Sequence, residues 1–256
     1  MLSNDELSKY RNNSSEIQRI EDLIRIIKPI TNTEKSVIDI GARDGFLSKQ
    51  LLGYYERVVA FDLQPLTIFN ENISWVRGDI AAISFKNNSF DLVVCVEVLE
   101  HIPPIFLQVA CSELSRICKQ YLLIGVPYKQ DLRIGRTKCC SCGKRNPPWG
   151  HANSFDKTRL MQLFPKFKVV STSFVDRNDN YTNFMSTLLM DLAGNPYGTY
   201  SSAVKCIYCG EELINPPERN FLQKVLTRLG FYFKKFQKPF YNKTQPNWIH
   251  LLFEKI

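Results

Sequence analysis

Val37-Ile-Asp-Ile-Gly-Ala-Arg-Asp-Gly45 is the stretch that decides the fold of this chain. Its first four residues are mainly apolar, and a turn bracketed by Gly41 and Gly45 follows them. Because a glycine lacks a Cβ atom, the backbone at these two positions can turn tightly and approach a ligand closely. The stretch therefore predicts a buried strand that passes through a tight turn into a helix.

Strand-like and helix-like segments alternate around this turn. Apolar residues at helical spacing predict an amphipathic helix over about residues 15–28, which packs on the core and stops at Pro29. The predicted strands lack strict alternation of apolar and polar residues, which is typical of strands covered by helices on both faces. They are Val37–Ile40, Val58–Asp62, Ile73–Val76, Phe90–Val96, Tyr121–Val126, Phe167–Val175 and Trp248–Glu254. The pattern predicts an α/β fold with a doubly wound, mainly parallel sheet.

Length, composition and charge bound the function. The chain has 256 residues, of which 44% are hydrophobic, enough for one full core and an elaboration on it. Neither a signal peptide nor an apolar run of the roughly 20 residues that a bilayer needs is visible, which predicts a cytoplasmic protein. The net charge of +8 favours an anionic partner such as a nucleic acid, a phosphorylated or nucleotide-linked small molecule or a membrane surface, or it serves solubility alone.

Glycines and acidic residues follow the predicted strands at their carboxyl ends, the edge at which a parallel sheet binds its ligands. Asp39 can accept a hydrogen bond from an amine, and Asp62 ends the second strand, where an acidic side chain receives both hydroxyls of a ribose. Asp79 can accept from an adenine amino group, and Ile80 can pack on the ring. The candidate ligand-binding residues are Asp39, Gly41, Arg43, Gly45, Asp62, Leu63, Asp79, Ile80, Cys95 and Val96.

These segments resemble motifs of the class I S-adenosylmethionine-dependent methyltransferases of the small-molecule type. The segments are Asp39–Gly45, Phe61-Asp62, Gly78-Asp79-Ile80 and Phe90–Ile102. The resemblance covers about residues 30–130 and implies S-adenosylmethionine as the cofactor, in a sheet of seven strands of which the last is antiparallel. Arg43 stands where the family often has glycine, and its guanidinium can pair with the carboxylate of the cofactor.

A nicotinamide-dependent dehydrogenase is the competing interpretation of a glycine turn after a strand. Such an enzyme requires Gly-x-Gly-x-x-Gly at this place. Gly41-Ala-Arg-Asp-Gly45 does not match that pattern, so the sequence favours the methyltransferase.

Glu97-Val-Leu-Glu100-His101 follows the fourth predicted strand, where a methyl acceptor would approach the cofactor. Two roles are open: the three side chains bind a hard divalent cation such as Mg²⁺, or His101 acts alone as general base. The segment resembles that of ubiquinone-pathway O-methyltransferases and small-RNA 3′-terminal 2′-O-methyltransferases, in which the two Glu and the His hold a metal ion. The RNA enzymes add a second His before a Phe, and Gly150–Phe155 is similar, which makes His151 a candidate catalytic residue. In much of the superfamily the Glu-His pair instead orders the start of a helix.

Two Cys-x-x-Cys-Gly segments predict a structural zinc site. Cys139 and Cys142 form the first pair, and Cys206 and Cys209 form the second. Two thiolates two residues apart can grip one ion, and four thiolates close its coordination shell. Cys140 is an alternative to Cys139 as ligand. The remaining cysteines are predicted to lie in the core: Cys95, Cys111 and Cys118.

The sequence predicts an N-terminal helical segment at 1–29 and a methyltransferase domain at 30–256, with zinc-binding insertions at about 128–153 and 178–217. Because both insertions follow strands, zinc would tie them into a lid over the acceptor pocket. The expected reaction is methylation of an oxygen, or less readily a nitrogen, of a small or carbohydrate-like acceptor. An RNA methyltransferase is the alternative enzyme, supported by the charge, the cysteine pairs and the basic and aromatic residues interleaved over Arg219–Lys243. The same interleaving also suits an acidic membrane surface, or an ordinary helix with aromatic core contacts and solvated lysines. A non-catalytic binding module is the alternative from another class.

Overall fold

The computed structural model describes residues 11–31, 35–64, 70–177, 182–194, 205–214, 218–236 and 244–256. The residues outside these ranges include parts of the predicted segments 1–29, 178–217 and 219–243. The described strands are β1 Ser36–Ile40, β2 Arg57–Asp62, β3 Ile73–Arg77, β4 Phe90–Val96, β5 Cys118–Pro127, β6 Thr137–Lys138, β7 Arg145–Asn146, β8 Phe167–Val175 and β9 Trp248–Lys255. The described helices are α1 Ser14–Ile27, α2 Phe46–Leu51, α3 Pro104–Ile117, α4 Lys157–Leu163, α5 Phe184–Leu192 and α6 Phe221–Phe236.

Seven strands form one mixed sheet in the order β3-β2-β1-β4-β5-β9-β8. The pairs among β1 to β5 are parallel, whereas β9 runs antiparallel to both β5 and β8. The prediction of a mainly parallel sheet of seven strands with an antiparallel last strand is confirmed. Since β1 to β5 share one direction, the carboxyl ends of β1, β2 and β4 meet at one edge.

Helices cover both faces of the sheet, as the apolar strands predict. On one face, Leu23 and Ile27 of α1 are fully buried among residues of β1, β4 and β5. On the other face, Leu114 and Ile117 of α3 are fully buried in a second cluster, which also contains Phe253 of β9. Burial of an aliphatic side chain contributes about 1.5–3 kcal/mol relative to exposure, so these two layers contribute to the stability of the sheet.

The chain divides into two compact units. The sheet unit contains the described residues up to Tyr128, together with Phe155–Asp176 and Pro246–Ile256. The cysteine unit contains the described residues of Lys129–Ser154 and Arg177–Gln245. Among the described residues, none of the helices combines the length and apolar character needed to cross a membrane.

The stretch from Asn178 to Pro217 is rich in turn-forming residues and is expected from the sequence to be irregular, but helix α5 lies within it. Asn183 caps its first turn by accepting a hydrogen bond from the Ser186 amide, and the Ser186 hydroxyl accepts in turn from the Asn183 amide. This reciprocal pair satisfies amides that a helix start leaves without a partner. The sequence feature that indicates this helix is therefore the capping residue Asn183, rather than a long repeat of apolar residues at helical spacing.

Candidate functional site

A cavity of about 510 Å³ opens at the carboxyl edge of the sheet unit. Its walls come from the ends of β1 and β2, from the residues that follow β1 to β4 and from the turn that precedes α3. The lining residues are Ile40, Gly41, Arg43, Phe61, Asp62, Leu63, Asp79, Ile80, Ala81, Glu97, Val98, His101, Ile102, Pro103 and Phe106. The edge predicted to bind a ligand therefore holds a cavity of ligand size.

The glycine turn brings the first two strand ends together. Gly41 has a positive φ of 77°, and its amide donates to the Phe61 carbonyl at 2.8 Å. The Arg43 amide donates to one carboxylate oxygen of Asp62 at 2.8 Å, and the Gln64 amide donates to the other at 2.9 Å. These two amides fix the orientation of the Asp62 carboxylate at the cavity wall, while each oxygen keeps further acceptor capacity.

Asp79 and Ile80 continue the wall after β3. One Asp79 carboxylate oxygen accepts from the Ala81 amide at 2.8 Å, which holds the exposed side chain at the cavity. Ile80 is buried and presents an apolar contact. Gly78 precedes them, and a Cβ there would stand 2.6 Å from the Phe61 ring. Only glycine therefore lets the chain pass over Phe61 at this point.

Gly41→Ala tests the packing of the turn. A Cβ at Gly41 would stand 2.2 Å from Val98 Cγ2, and its positive φ disfavours any other residue. We expect a loss of about 1–3 kcal/mol in the free energy of unfolding, together with weaker ligand binding at the cavity. Gly53→Ala is the matched control, because its nearest neighbour would be the Gln50 carbonyl at 3.6 Å. Equal denaturation curves for the two variants would contradict this role of Gly41.

Several predicted ligand-binding residues lie behind the cavity wall. The buried Asp39 carboxylate accepts a hydrogen bond from the Ser48 hydroxyl at 2.6 Å, and burial raises its pKa to about 6. Gly45 adopts a left-handed conformation at the start of α2. Cys95 and Val96 are buried in the core at the end of β4. Direct contact of these four residues with a ligand stays a prediction.

Glu97, Glu100 and His101 follow β4 as predicted, but their environments differ. His101 is exposed and lines the cavity together with Glu97. Glu100 is fully buried. One oxygen of Glu97 and both oxygens of Glu100 are buried without a donor from any other described residue, but the two carboxyl groups lie close enough for one to donate to the other when it is protonated. Burial raises the pKa of Glu97, and burial together with the neighbouring Glu97 carboxylate raises the pKa of Glu100 well above its usual range.

Helix α1, which the sequence predicts only to pack on the core, also brings charged residues to this part of the sheet unit. The Arg19 guanidinium makes two hydrogen bonds of 2.8 Å to the buried Glu16 carboxylate. The positive charge of Arg19 also opposes the rise in the pKa of Glu97 and of Glu100. Arg11 bridges Glu16 and Asp44 of the glycine turn, at 2.5 and 2.7 Å. The signal in the sequence was the helical spacing that places Glu16 and Arg19 on the apolar face.

The cysteine unit brings the four predicted zinc ligands together. Sulfur atoms of Cys139, Cys142, Cys206 and Cys209 all lie within 4.8 Å of one another. Sγ of Cys139 is 3.7 Å from that of Cys209, and Sγ of Cys142 is 3.6 Å from that of Cys206. Four thiolates about 2.3 Å from a tetrahedral zinc ion stand about 3.8 Å apart, so the cluster can hold zinc. Cys140 is exposed and lies outside the cluster, so Cys139 is the cluster member.

The two cysteine pairs repeat one backbone pattern. The amide of Cys139 donates to the Lys144 carbonyl, and the amide of Cys206 donates to the Glu211 carbonyl, five residues on in each case. Gly143 and Gly210, each at positive φ, donate back to the first cysteine of their own pair. The glycines permit the turn that aims both thiols at one point.

Asn146 lies in β7, just after the first pair in the chain, and contacts the second pair. Its amide nitrogen donates to Cys206 Sγ at 3.4 Å, and its amide oxygen accepts from the Ile207 amide at 2.9 Å. Burial works against ionisation of Cys206, but donors from Tyr208, Asn146 and Cys209 outweigh it and lower the pKa of this thiol to about 6, whereas the neighbouring thiols raise the pKa of Cys209 to about 12. A thiolate is the form that binds zinc. Cys95, Cys111 and Cys118 are fully buried in the sheet unit, as predicted.

His151 is buried within the cysteine unit. Its Nδ1 is 2.6 Å from the Gln130 side-chain oxygen, and its ring lies 5.9 Å from that of Trp149. The hydrogen bond to Gln130 orients the imidazole. A catalytic role for His151 stays a prediction.

A known family model matches part of the sheet unit. Residues 38–122 match the family model described as a methyltransferase domain. All the residues that line the cavity, from Ile40 to Phe106, lie within the matched segment. A comparison with curated protein sequences gives no match.

Solved structures share the fold at low sequence identity. A SAM-dependent methyltransferase from Archaeoglobus fulgidus is 16% identical, with 97% of this chain and 98% of that chain covered and a TM-score of 0.55. The N-methyltransferase NodS from Bradyrhizobium japonicum, in complex with S-adenosyl-L-homocysteine, is 19% identical, with coverage of 69% and 87% and a TM-score of 0.52. The [4+2]-cyclase SpnF is 13% identical, with coverage of 95% and 84% and a TM-score of 0.54. Since a cyclase shares this fold, the reaction must be argued from the residues of the site.

Proposed function

Because the chain carries a class I S-adenosylmethionine-dependent methyltransferase domain, we propose that it methylates a hydroxyl oxygen of a small-molecule or carbohydrate-like acceptor. The observation that carries this proposal is the composition of one cavity. Asp62 and Asp79 stand on its cofactor side, and the exposed His101 stands among Val98, Ile102 and Phe106 on the other. The acids suit an adenosyl group, and the histidine suits an acceptor that must lose a proton.

Each cofactor-side residue has one task in this proposal. Asp62 accepts hydrogen bonds from the two ribose hydroxyls, for which the Arg43 and Gln64 amides hold its carboxylate ready. Asp79 accepts from the adenine amino group, and Ile80 packs on the ring. The side chain of Arg43 pairs with the cofactor carboxylate. S-adenosylmethionine supplies the electrophilic methyl group, so the protein contributes mainly alignment of acceptor and sulfonium.

His101 is the general base in this proposal. The acceptor oxygen forms a bond to the methyl carbon as the carbon–sulfur bond breaks, and the bonding pair leaves on the sulfur of S-adenosylhomocysteine. The hydroxyl proton passes to an imidazole nitrogen of His101. The apolar side chains of Val98, Ile102 and Phe106 reduce the water around the reacting oxygen, which strengthens the polar interactions that remain.

His101→Asn tests this role with radiolabelled S-adenosylmethionine and a panel of glycosides, nucleotide-linked sugars and small RNAs. Loss of a general base costs about 10²–10⁴-fold in rate, so we expect methyl transfer to fall by that factor while calorimetric affinity for the cofactor stays within about twofold of wild type. Gln108→Ala is the control, since Gln108 is exposed on α3 outside the cavity. Unchanged turnover by His101→Asn would favour a non-catalytic role for this histidine.

The two carboxyl groups of Glu97 and Glu100 either share one proton or bind a divalent cation. The raised pKa of Glu100 supports a shared proton between the two carboxyl groups. The buried oxygens without a donor from any other described residue favour Mg²⁺ as the second candidate. Calorimetric titration with Mg²⁺ separates the two: binding that Glu100→Gln removes supports the cation, whereas absence of heat supports the proton.

RNA is the second candidate acceptor, favoured by the net charge of +8. Binding to phosphates releases counterions, so an RNA methyltransferase requires affinity that falls steeply as salt rises. Filter binding of small RNAs across a salt series makes the comparison. Methyl transfer to glycosides without such RNA binding supports the small acceptor.

A further inference from the structure

Helix α6 of the cysteine unit leaves a broad apolar surface in contact with solvent. Phe221 is 83% exposed, Leu222 64% and Tyr232 69%. Leu229 and Phe233 are each exposed by more than two fifths. Large side chains of this kind are normally scattered singly on a protein surface, and a contiguous set marks an interaction site.

These five side chains fall on one side of the helix, whereas the half-exposed Phe231 lies outside their arc. At 3.6 residues per turn, these five residues occupy an arc of about 120°. The opposite side packs within the unit: Thr227 and Gly230 are buried, and a Cβ at Gly230 would stand 3.2 Å from Met190 of α5. The exposed arc is therefore not the face by which α6 packs on α5.

Cationic residues flank the apolar arc. Lys224, Arg228 and Lys235 are exposed and fall within about 40° of one another beside the arc. The sequence of α6 from Phe221 to Phe236 contains no Asp or Glu. A helix with a basic flank and an exposed aromatic and aliphatic face has the composition of helices that lie in the plane of a bilayer surface.

We propose that α6 docks the protein on an anionic phospholipid bilayer. The apolar arc enters the boundary between headgroups and acyl chains, and Lys224, Arg228 and Lys235 contact lipid phosphates. The arc carries aliphatic side chains, Leu222 and Leu229, beside its aromatic rings; the rings suit a bilayer interface or a nucleic-acid base, but the aliphatic side chains suit acyl chains and cannot stack on a base. Like charges on two copies of α6 repel, which favours a lipid partner over a second copy of the chain. This inference does not depend on the methyl acceptor.

Co-sedimentation of the full chain with lipid vesicles tests the proposal. We expect binding to vesicles of equal parts phosphatidylglycerol and phosphatidylcholine, weaker at high salt, and little binding to phosphatidylcholine alone. Each cation near an anionic surface contributes roughly 1 kcal/mol, so the triple variant K224Q/R228Q/K235Q should lose about 100-fold in partition coefficient. The control K49Q/K86Q/K157Q removes the same charge from exposed positions of the sheet unit and should bind like wild type.

The apolar arc has its own variant, L222S/F233S, which should bind at least about tenfold more weakly. Both side chains are well exposed, and metal content with circular dichroism checks that the unit stays folded. Three results would overturn the proposal: equal loss in both triple variants, no binding of the wild-type chain to anionic vesicles, or a dimer in sedimentation velocity that L222S/F233S dissociates. A fourth result would assign the surface to nucleic acid instead: the wild-type chain binds RNA but not anionic vesicles, and K224Q/R228Q/K235Q loses the RNA affinity.

Discussion

Asp62→Ala should reduce the affinity for S-adenosylmethionine by about 100-fold or more in calorimetry. A carboxylate that accepts from two ribose hydroxyls contributes about 3 kcal/mol or more to binding, because hydrogen bonds to a charged group are the strong ones. The backbone amides of Arg43 and Gln64 already orient this carboxylate, so the cofactor does not have to order it. The variant also frees both amides, which loosens the turn on which the cofactor lies.

Glu56→Ala is the matched control for Asp62→Ala. Glu56 is an exposed acid just before β2, at the opposite end of the strand from Asp62. Thermal denaturation of both variants separates a binding effect from a folding effect. If the Asp62→Ala protein is folded and binds S-adenosylmethionine as tightly as wild type, Asp62 does not bind the cofactor.

Protein purified without added zinc should contain one zinc ion per chain, and Cys206→Ser should lose it. Structural zinc in four-ligand sites contributes an apparent free energy of about 10–16 kcal/mol, which is of the order of the stability of a whole domain. We therefore expect Cys206→Ser, and wild type treated with a strong chelator, to lose the ordered structure of the cysteine unit. Limited proteolysis within 129–154 and 205–214 would report the loss.

Cys140→Ser is the control for the metal site, since Cys140 is exposed and stands next to the ligand Cys139 in the chain. It should keep the metal content of wild type. Zinc retained by Cys206→Ser, or absent from wild type, would contradict a four-thiolate site. If the two units fold independently, the sheet unit of Cys206→Ser should keep its affinity for S-adenosylmethionine. Calorimetric titration of this variant with the cofactor therefore measures how strongly the folding of one unit depends on the other.

The sequence predicts the sheet and the strand ends well because both follow from local chemistry. Apolar runs mark the buried strands, and the strand-end rule predicts that Asp62 and Asp79 line a crevice, as they do. The rule does not resolve which way each side chain points. Successive residues of a strand face opposite sides, and so Asp39 lies toward Ser48 behind the cavity wall.

Contacts between distant segments account for most of what sequence reasoning missed. Arg19 and Glu16 belong to a helix predicted only to pack, yet the structure places the charge of Arg19 close enough to affect the pKa of Glu97. No periodicity reveals that proximity, because it depends on where α1 lies against the sheet. The thiol cluster is the exception. Its spacing of two residues and its glycines are local, and they predicted all four members of the cluster.

A crystal structure of the full chain with S-adenosyl-L-homocysteine bound tests the central claim most directly. We expect the ribose hydroxyls on Asp62, the adenine between Asp79 and Ile80, and the sulfur directed toward the side of the cavity that holds His101. We also expect space for a hydroxyl-bearing acceptor between that sulfur and the imidazole. Ligand bound away from the carboxyl edge of β1, β2 and β4, or a sulfur directed away from His101, would contradict the account.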